Sequence, residues 1–214
     1  MKHSAVIFDL DGTLLDTLDD LTAAVNYALK KGNYPERTRD EVRKFVGNGM
    51  GSLIRRAVPK GTTWEESWEL IEPCNQFYSE NCTESTKPYP GIEELLDRCK
   101  AEGLKIAVVS NKPDEHAKKI CEKFFPGKAD YVLGAKDGVN QKPAPDMIFE
   151  AMDAIGVEPN GFVVVGDGDT DVQAAKNAGV DCISVTWGFK DRYFLENHCA
   201  KVIVDTVDEV MNLL

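Results

Sequence analysis

At 214 residues and a formal net charge of −11, the chain is long enough for a substantial core and too acidic to favour nucleic acid or anionic lipid as partners. Apolar residues make up 43% and charged residues 29%, ordinary for a globular protein, and nothing approaches the ~20 consecutive apolar residues of a membrane helix. The first apolar run, AVIF, stops at Asp9, far short of the ~7–15 residues of a signal-peptide core, so the expected location is the cytoplasm. The six cysteines (Cys74, Cys82, Cys99, Cys121, Cys182 and Cys199) form no C-x-x-C pair and read as reduced, packed thiols. His3, His116 and His198 show no metal-ligand spacing and receive no chemistry.

Taken in order, AVIFDLDG predicts a buried strand running into an Asp-Gly turn. From about Asp16 to Glu84 the apolar spacing turns helical: Leu18, Leu21, Val25 and Leu29, then Val42, Phe45 and Val46, then Leu53, Ile54, Ala57 and Val58, then Trp64, Trp68 and Ile71. This stretch reads as a self-contained helical unit. Lys87-Pro88-Tyr89-Pro90-Gly91 then punctuates the chain like a linker. Strands are predicted over 104–110, 131–134, 161–167, 181–186 and 201–204. Helices are predicted over 114–125, 143–155 and 170–178 and after Thr206. Short apolar strands alternating with helices imply an α/β fold, a doubly wound parallel sheet with a helical insertion after its first strand. The expected domains are an α/β core over 1–15 and 86–214 and a helical domain over 16–85.

Ligands of such sheets bind at the carboxyl ends of the strands, and polar residues gather there. The first strand ends in Asp9-Leu10-Asp11-Gly12-Thr13, the second in Ser110-Asn111. The loop after the third carries Lys142, and the fourth ends in Gly166-Asp167-Gly168-Asp169-Thr170-Asp171. Paired acids, a hydroxyl–amide pair, one lysine and an acid cluster suit phosphoryl transfer, where catalysis is mostly positioning and charge neutralisation. A carboxylate with an ordinary pKa of about 3.9 is ionised at neutral pH and can act as a nucleophile. Magnesium would relieve its repulsion from an anionic phosphate, with Asp9 and Asp167 the best ligand candidates. Lys142 supplies positive charge, Ser110 and Asn111 supply donors, and Asp11 is placed to exchange protons with the leaving group and water. Asp167, Asp169 and Asp171 also resemble the start of a calcium loop. That loop needs Gly at its sixth and Glu at its twelfth position, and Val172 and Ala178 stand there instead. One of Asp169 and Thr170 is expected to cap the following helix, leaving Asp167 and Asp171 for the site.

The four features together resemble the haloacid dehalogenase-like superfamily, and within it the phosphoglycolate phosphatase-like group. The motif D-x-D-[GT]-T is matched by Asp9 to Thr13, the strand-ending hydroxyl by Ser110, the lysine by Lys142 and the acidic pair by Asp167 and Asp171. The resemblance implies that Asp9 is the nucleophile and Asp11 the general acid/base. Magnesium would be held by Asp9, the main-chain carbonyl of Asp11 and Asp167, with Asp171 a ligand through water or a support behind the ligands. Thr13, Ser110, Asn111 and Lys142 would contact the phosphate. Asp11 is the residue that the superfamily's dehalogenases lack, which argues for phosphate chemistry. The insertion is similar to the family's helical cap, which closes over the core and excludes water.

The segment VRKFVGNGMGSLIRRAVP (42–59) resembles the corresponding stretch of phosphoglycolate phosphatases. Gly47, Gly49 and Gly51 would offer backbone amides to a small anion, and Arg43, Lys44, Arg55 or Arg56 would meet a carboxylate. Gly49 and Arg55 are therefore the expected substrate-binding positions of the insertion. The expected partner is a small phosphorylated metabolite, 2-phosphoglycolate first. A phosphosugar mutase and an inorganic pyrophosphatase of the same superfamily are the alternatives. Gly188, Phe189 and Arg192 follow a strand end and carry no assigned role on sequence grounds.

Overall fold

The computed structural model describes residues 3–158 and 161–214. The chain divides into two compact units, one of Met1–Asp16 with Pro88–Leu214, the other Thr17–Lys87. It begins with β1 (Ala5–Phe8) and a two-residue β2 (Leu15–Asp16).

The second unit is helical: α1 (Leu18–Lys31), α2 (Arg39–Phe45), α3 (Gly49–Ala57), α4 (Trp64–Trp68) and α5 (Ile71–Asn81). α1 forms because Leu18, Leu21, Val25, Ala28 and Leu29 share one buried stripe, with acids in its first turn and lysines in its last. α2 and α4 begin in reciprocal capping boxes, Thr38 with Glu41 and Thr63 with Glu66. Tyr27 of α1 stacks on Phe77 of α5 with ring centroids 4.5 Å apart.

After β3 (Lys87–Pro88) the first unit resumes with α6 (Ile92–Ala101), β4 (Lys105–Pro113), α7 (Asp114–Phe124), β5 (Tyr131–Ala135) and α8 (Asp146–Ile155). It ends with β6 (Phe162–Gly166), α9 (Asp169–Ala178), β7 (Asp181–Val185), α10 (Arg192–Asn197), β8 (Ile203–Val204) and α11 (Val207–Leu213). Six strands form one sheet in the order β5-β4-β1-β6-β7-β8, every neighbouring pair parallel. β1 is central and fully buried, as its unbroken apolar run requires of a strand covered on both faces. Phe8 pairs with Val108 of β4 and Val165 of β6, so the polar residues that follow these three strands emerge at one level.

Several boundaries differ from the sequence reading. α8 starts at Asp146 rather than 143, because Pro145 occupies the residue before it and Ala144 closes a turn onto the Gln141 carbonyl. The last strand shrinks to Ile203–Val204, at the sheet edge, where only β7 pairs with it. β4 runs on to Pro113, with its register against β5 shifting between Val109 and Pro113. α9 is capped by neither Asp169 nor Thr170. Gly168 precedes it, and Asp171 itself accepts the Gly168 N–H at 3.1 Å.

Candidate active site

Three strand ends and the loop before α8 bring the polar residues of the first unit together. Asp9 continues β1, its amide donating to the Val165 carbonyl at 2.9 Å. Lys142 Nζ lies 2.7 Å from Asp9 Oδ1, 2.7 Å from Asp171 Oδ1 and 2.8 Å from the Val109 carbonyl. All three of its donors are thereby used. Asn111 Nδ2 donates to the Lys142 carbonyl at 2.8 Å, so this amide holds the lysine loop against the end of β4. Ser110 is buried, and its Oγ accepts the Lys112 amide at 3.2 Å.

Asp167 directly follows β6, and its carboxylate is fixed from two sides. The Phe189 amide donates to Oδ2 at 2.6 Å, and the Thr13 hydroxyl donates to Oδ1 at 3.5 Å. Thr13 is itself buried, so in this arrangement its hydroxyl serves the Asp167 carboxylate. Trp187 Nε1 donates to the Thr13 carbonyl at 3.0 Å and ties the same turn down from the other side. The fit is close enough to demand glycine twice. Gly12 has φ +93°, and a Cβ there would stand 2.5 Å from Asp167 Oδ2. A Cβ on Gly188 would collide with both the Gly12 carbonyl and the Asp167 carboxylate.

Carboxylate oxygens of Asp9, Asp167 and Asp171 lie within 4.8 Å of one another, and all three residues are buried. Burial lifts Asp9 well above its ordinary pKa. Lys142 opposes that rise, while Asp171 and Asp167 add to it. Burial, then the Asp171 charge, lifts Asp167 to about 7, and the Phe189 N–H pulls it partly back. Burial alone would depress Lys142, yet Asp171 and Asp9 beside it hold the ammonium above its ordinary value. Three acids around one lysine would leave surplus negative charge in a buried place if all were ionised, and burial together with that charge is what lifts Asp9 and Asp167. A set of hard carboxylate oxygens with that surplus fits a divalent cation of the magnesium type.

Asp11 follows the Asp9–Leu10 step and pairs with Lys112, Nζ to Oδ1 at 2.9 Å. Lys112 is buried and was outside the sequence reading, as were the contacts of Trp187, Gly188 and Phe189. The signal for Lys112 is strand alternation, which puts it on the same face as Ser110. Gly49 and Arg55 belong to the helical unit. Gly49 opens α3 with φ +77°. Arg55 donates to the carbonyls of Thr62 at 2.6 Å and Thr63 at 3.2 Å and stands over the Trp64 ring. Arg56 donates to the Phe45 carbonyl at 2.6 Å, whereas Arg43 Nε is buried with no hydrogen-bond partner among the described residues.

Comparison with known proteins places this arrangement in a family. Residues 6–185 match the family model described as haloacid dehalogenase-like hydrolase. A phosphoglycolate phosphatase of Aquifex aeolicus is 36% identical over 185 residues, covering 86% of this chain and 85% of that protein. Phosphoglycolate phosphatase 1 of Pseudomonas aeruginosa is 31% identical over 212 residues, covering 96% and 78%. A crystal structure from Lactobacillus delbrueckii subsp. bulgaricus, assigned there as a candidate phosphoglycolate phosphatase, superposes with a TM-score of 0.95 at 36% identity, covering 100% of this chain and 98% of that one. The chain belongs to the haloacid dehalogenase-like hydrolase family and is a phosphatase-type enzyme of its phosphoglycolate phosphatase-like group.

Proposed function

We propose that the chain is a magnesium-dependent phosphomonoesterase that works through a phosphorylated Asp9, with 2-phosphoglycolate its favoured substrate. The observation that carries this reading is the Lys142 ammonium shared by Asp9 and Asp171 at 2.7 Å each, with Asp167 completing the acid cluster. Asp9 attacks phosphorus, the bond to the ester oxygen breaks, and Asp11 supplies the proton that the leaving alkoxide needs. Water then attacks the acyl phosphate, Asp11 takes the proton, and phosphate leaves with Asp9 restored. Lys142 holds Asp9 in place and offsets phosphate charge, and Ser110 stands ready to donate to a phosphate oxygen. A magnesium ion bound by Asp9, the Asp11 main-chain carbonyl and Asp167, with Asp171 behind, would neutralise charge on the phosphoryl oxygens.

The substrate rests on the names of the relatives and on the glycine- and arginine-bearing segment 42–59. No helix among the described residues is long and apolar enough to cross a membrane, and no disulfide joins their cysteines. A cytoplasmic enzyme acting on a small phosphorylated metabolite is consistent with both.

The test is phosphate release with magnesium across phosphoglycolate, phosphosugars, nucleotides and pyrophosphate, with Asp9→Asn as control. Preferred release from phosphoglycolate, lost in the variant, is the expected outcome. Retained turnover in Asp9→Asn would remove Asp9 as nucleophile. Isomerised phosphosugar without free phosphate would make the chain a mutase instead.

A further inference from the structure

The family match leaves Lys112 without a role, yet it is among the most carefully built positions of the first unit. Its side chain is only 3% exposed, and its ammonium meets Asp11 Oδ1 at 2.9 Å, while the Asp11 side chain remains 14% exposed. The cation thus lies deeper than the acid and holds it from behind. Burial pushes the Cys121 thiol up to about 12, and burial followed by the Lys112 charge lowers His116. A buried ammonium needs an anion, and Asp11 is the carboxylate it engages.

The backbone is shaped to deliver this lysine. β4 loses register with β5 between Val109 and Pro113, so Ser110, Asn111 and Lys112 leave the regular ladder together. The Lys112 amide is pinned to Ser110 Oγ at 3.2 Å. Gly134 of β5 lies so close that a Cβ there would stand 2.6 Å from the Lys112 carbonyl and would collide with Asp114. The Gly134 amide donates to Asp114 Oδ1 at 2.9 Å and locks the segment just beyond.

We propose that Lys112 is the positioning residue of the proton-transfer acid: its ion pair to Oδ1 holds Asp11 in the orientation from which the carboxyl group exchanges the proton with the ester oxygen and then with water. This rests on the role of Asp11 given above. A carboxylate on a turn beside Gly12 has rotamers available to it, and an ion pair on one oxygen restricts it to the one that serves the leaving group. Lys112 acts through Asp11, whereas Lys142 serves Asp9 and Asp171.

Leaving-group dependence tests the idea, because an aryl oxide departs without help and an alkoxide requires the proton. The kcat/KM values of wild type, Lys112→Met and Asp11→Asn are measured with magnesium on 2-phosphoglycolate and on p-nitrophenyl phosphate. General acid catalysis contributes roughly 10²–10⁴-fold, so misplacing the acid should cost about ten-fold or more on the alkyl ester and under about three-fold on the aryl ester. Asp11→Asn should show the same pattern more strongly. Equal losses on both esters in Lys112→Met, with the pattern intact in Asp11→Asn, would overturn the role of Lys112. Equal losses in Asp11→Asn itself would instead remove Asp11 as the acid. Lys112→Gln keeps a donor for Oδ1 without the charge. Should Lys112→Met not fold, Lys112→Gln is expected to lose rate on the alkyl ester selectively but less than about ten-fold, and an equal loss on both esters would overturn the role of Lys112.

Discussion

Lys142 and Asp171 form a buried ion pair at 2.7 Å, and the same Asp171 carboxylate accepts the Gly168 N–H that opens α9. One acid therefore anchors a helix start and, through the lysine, Asp9, the proposed nucleophile.

Removing the cation should expose how much that arrangement depends on it. Lys142→Met keeps the stem and leaves Asp9, Asp167 and Asp171 facing one another without compensation. Breaking a buried pair from one side costs about 3–5 kcal/mol. A fall of that size is expected in urea unfolding without metal, with part of it recovered on adding magnesium if, as proposed, the folded cluster binds it. Unchanged stability without metal would mean that the acids shed their charge at no cost.

Strand ends were legible in the sequence because a strand buried on both faces must be apolar throughout, so Asp9, Ser110 and Asp167 stand out where the apolar runs stop. What escaped was contact across distance in the chain. Phe189 lies 22 residues from Asp167, and Trp187 lies 174 from Thr13, so no local pattern links them. Lys112 escaped for another reason: β4 was read as ending at Ser110, whereas it continues irregularly to Pro113. The α9 cap differs from the expected one although Asp169 and Thr170 are good capping residues by type. Asp171 supplies the acceptor instead while also pairing with Lys142.

Gly188 offers a direct test of the Asp167 environment. A methyl there would displace the Asp167 carboxylate or the Gly12 turn, both of which carry the proposed metal site. Gly188→Ala should weaken the magnesium-induced rise in Tm and lower turnover, while the helical unit keeps its stability. An unaltered magnesium response would show that Asp167 does not hold the ion.

Within the helical unit, Asp20 clasps the returning chain. Its buried carboxylate accepts the Ser85 and Thr86 amides at 2.9 Å each and the Thr86 hydroxyl at 2.7 Å. Asp20→Ala would orphan both amides at roughly 1–3 kcal/mol each. Faster hydrogen exchange at residues 85 and 86, with the β1 and β6 amides unchanged, is the expected signature. Uniform acceleration throughout would make Asp20 a general stabiliser rather than a local clasp.

The arginines of segment 42–59 separate into two kinds, and if the proposed substrate is right, they differ in their capacity to read its carboxylate. Arg55 is engaged by two main-chain carbonyls and the Trp64 ring, so its loss should cost folding stability, about 1–2 kcal/mol, and little selectivity. Arg43 has an Nε without a hydrogen-bond partner among the described residues, which leaves it capacity for an incoming anion. A hydrogen bond to a charged group is worth about 1.5–3 kcal/mol, or roughly ten-fold and upward in kcat/KM. Arg43→Ala should therefore lose at least about that factor on 2-phosphoglycolate and little on a phosphate ester without a carboxylate. Selectivity that shifts in Arg55→Ala and not in Arg43→Ala would reverse the assignment. It would also mean that substrate draws Arg55 away from the Thr62 and Thr63 carbonyls.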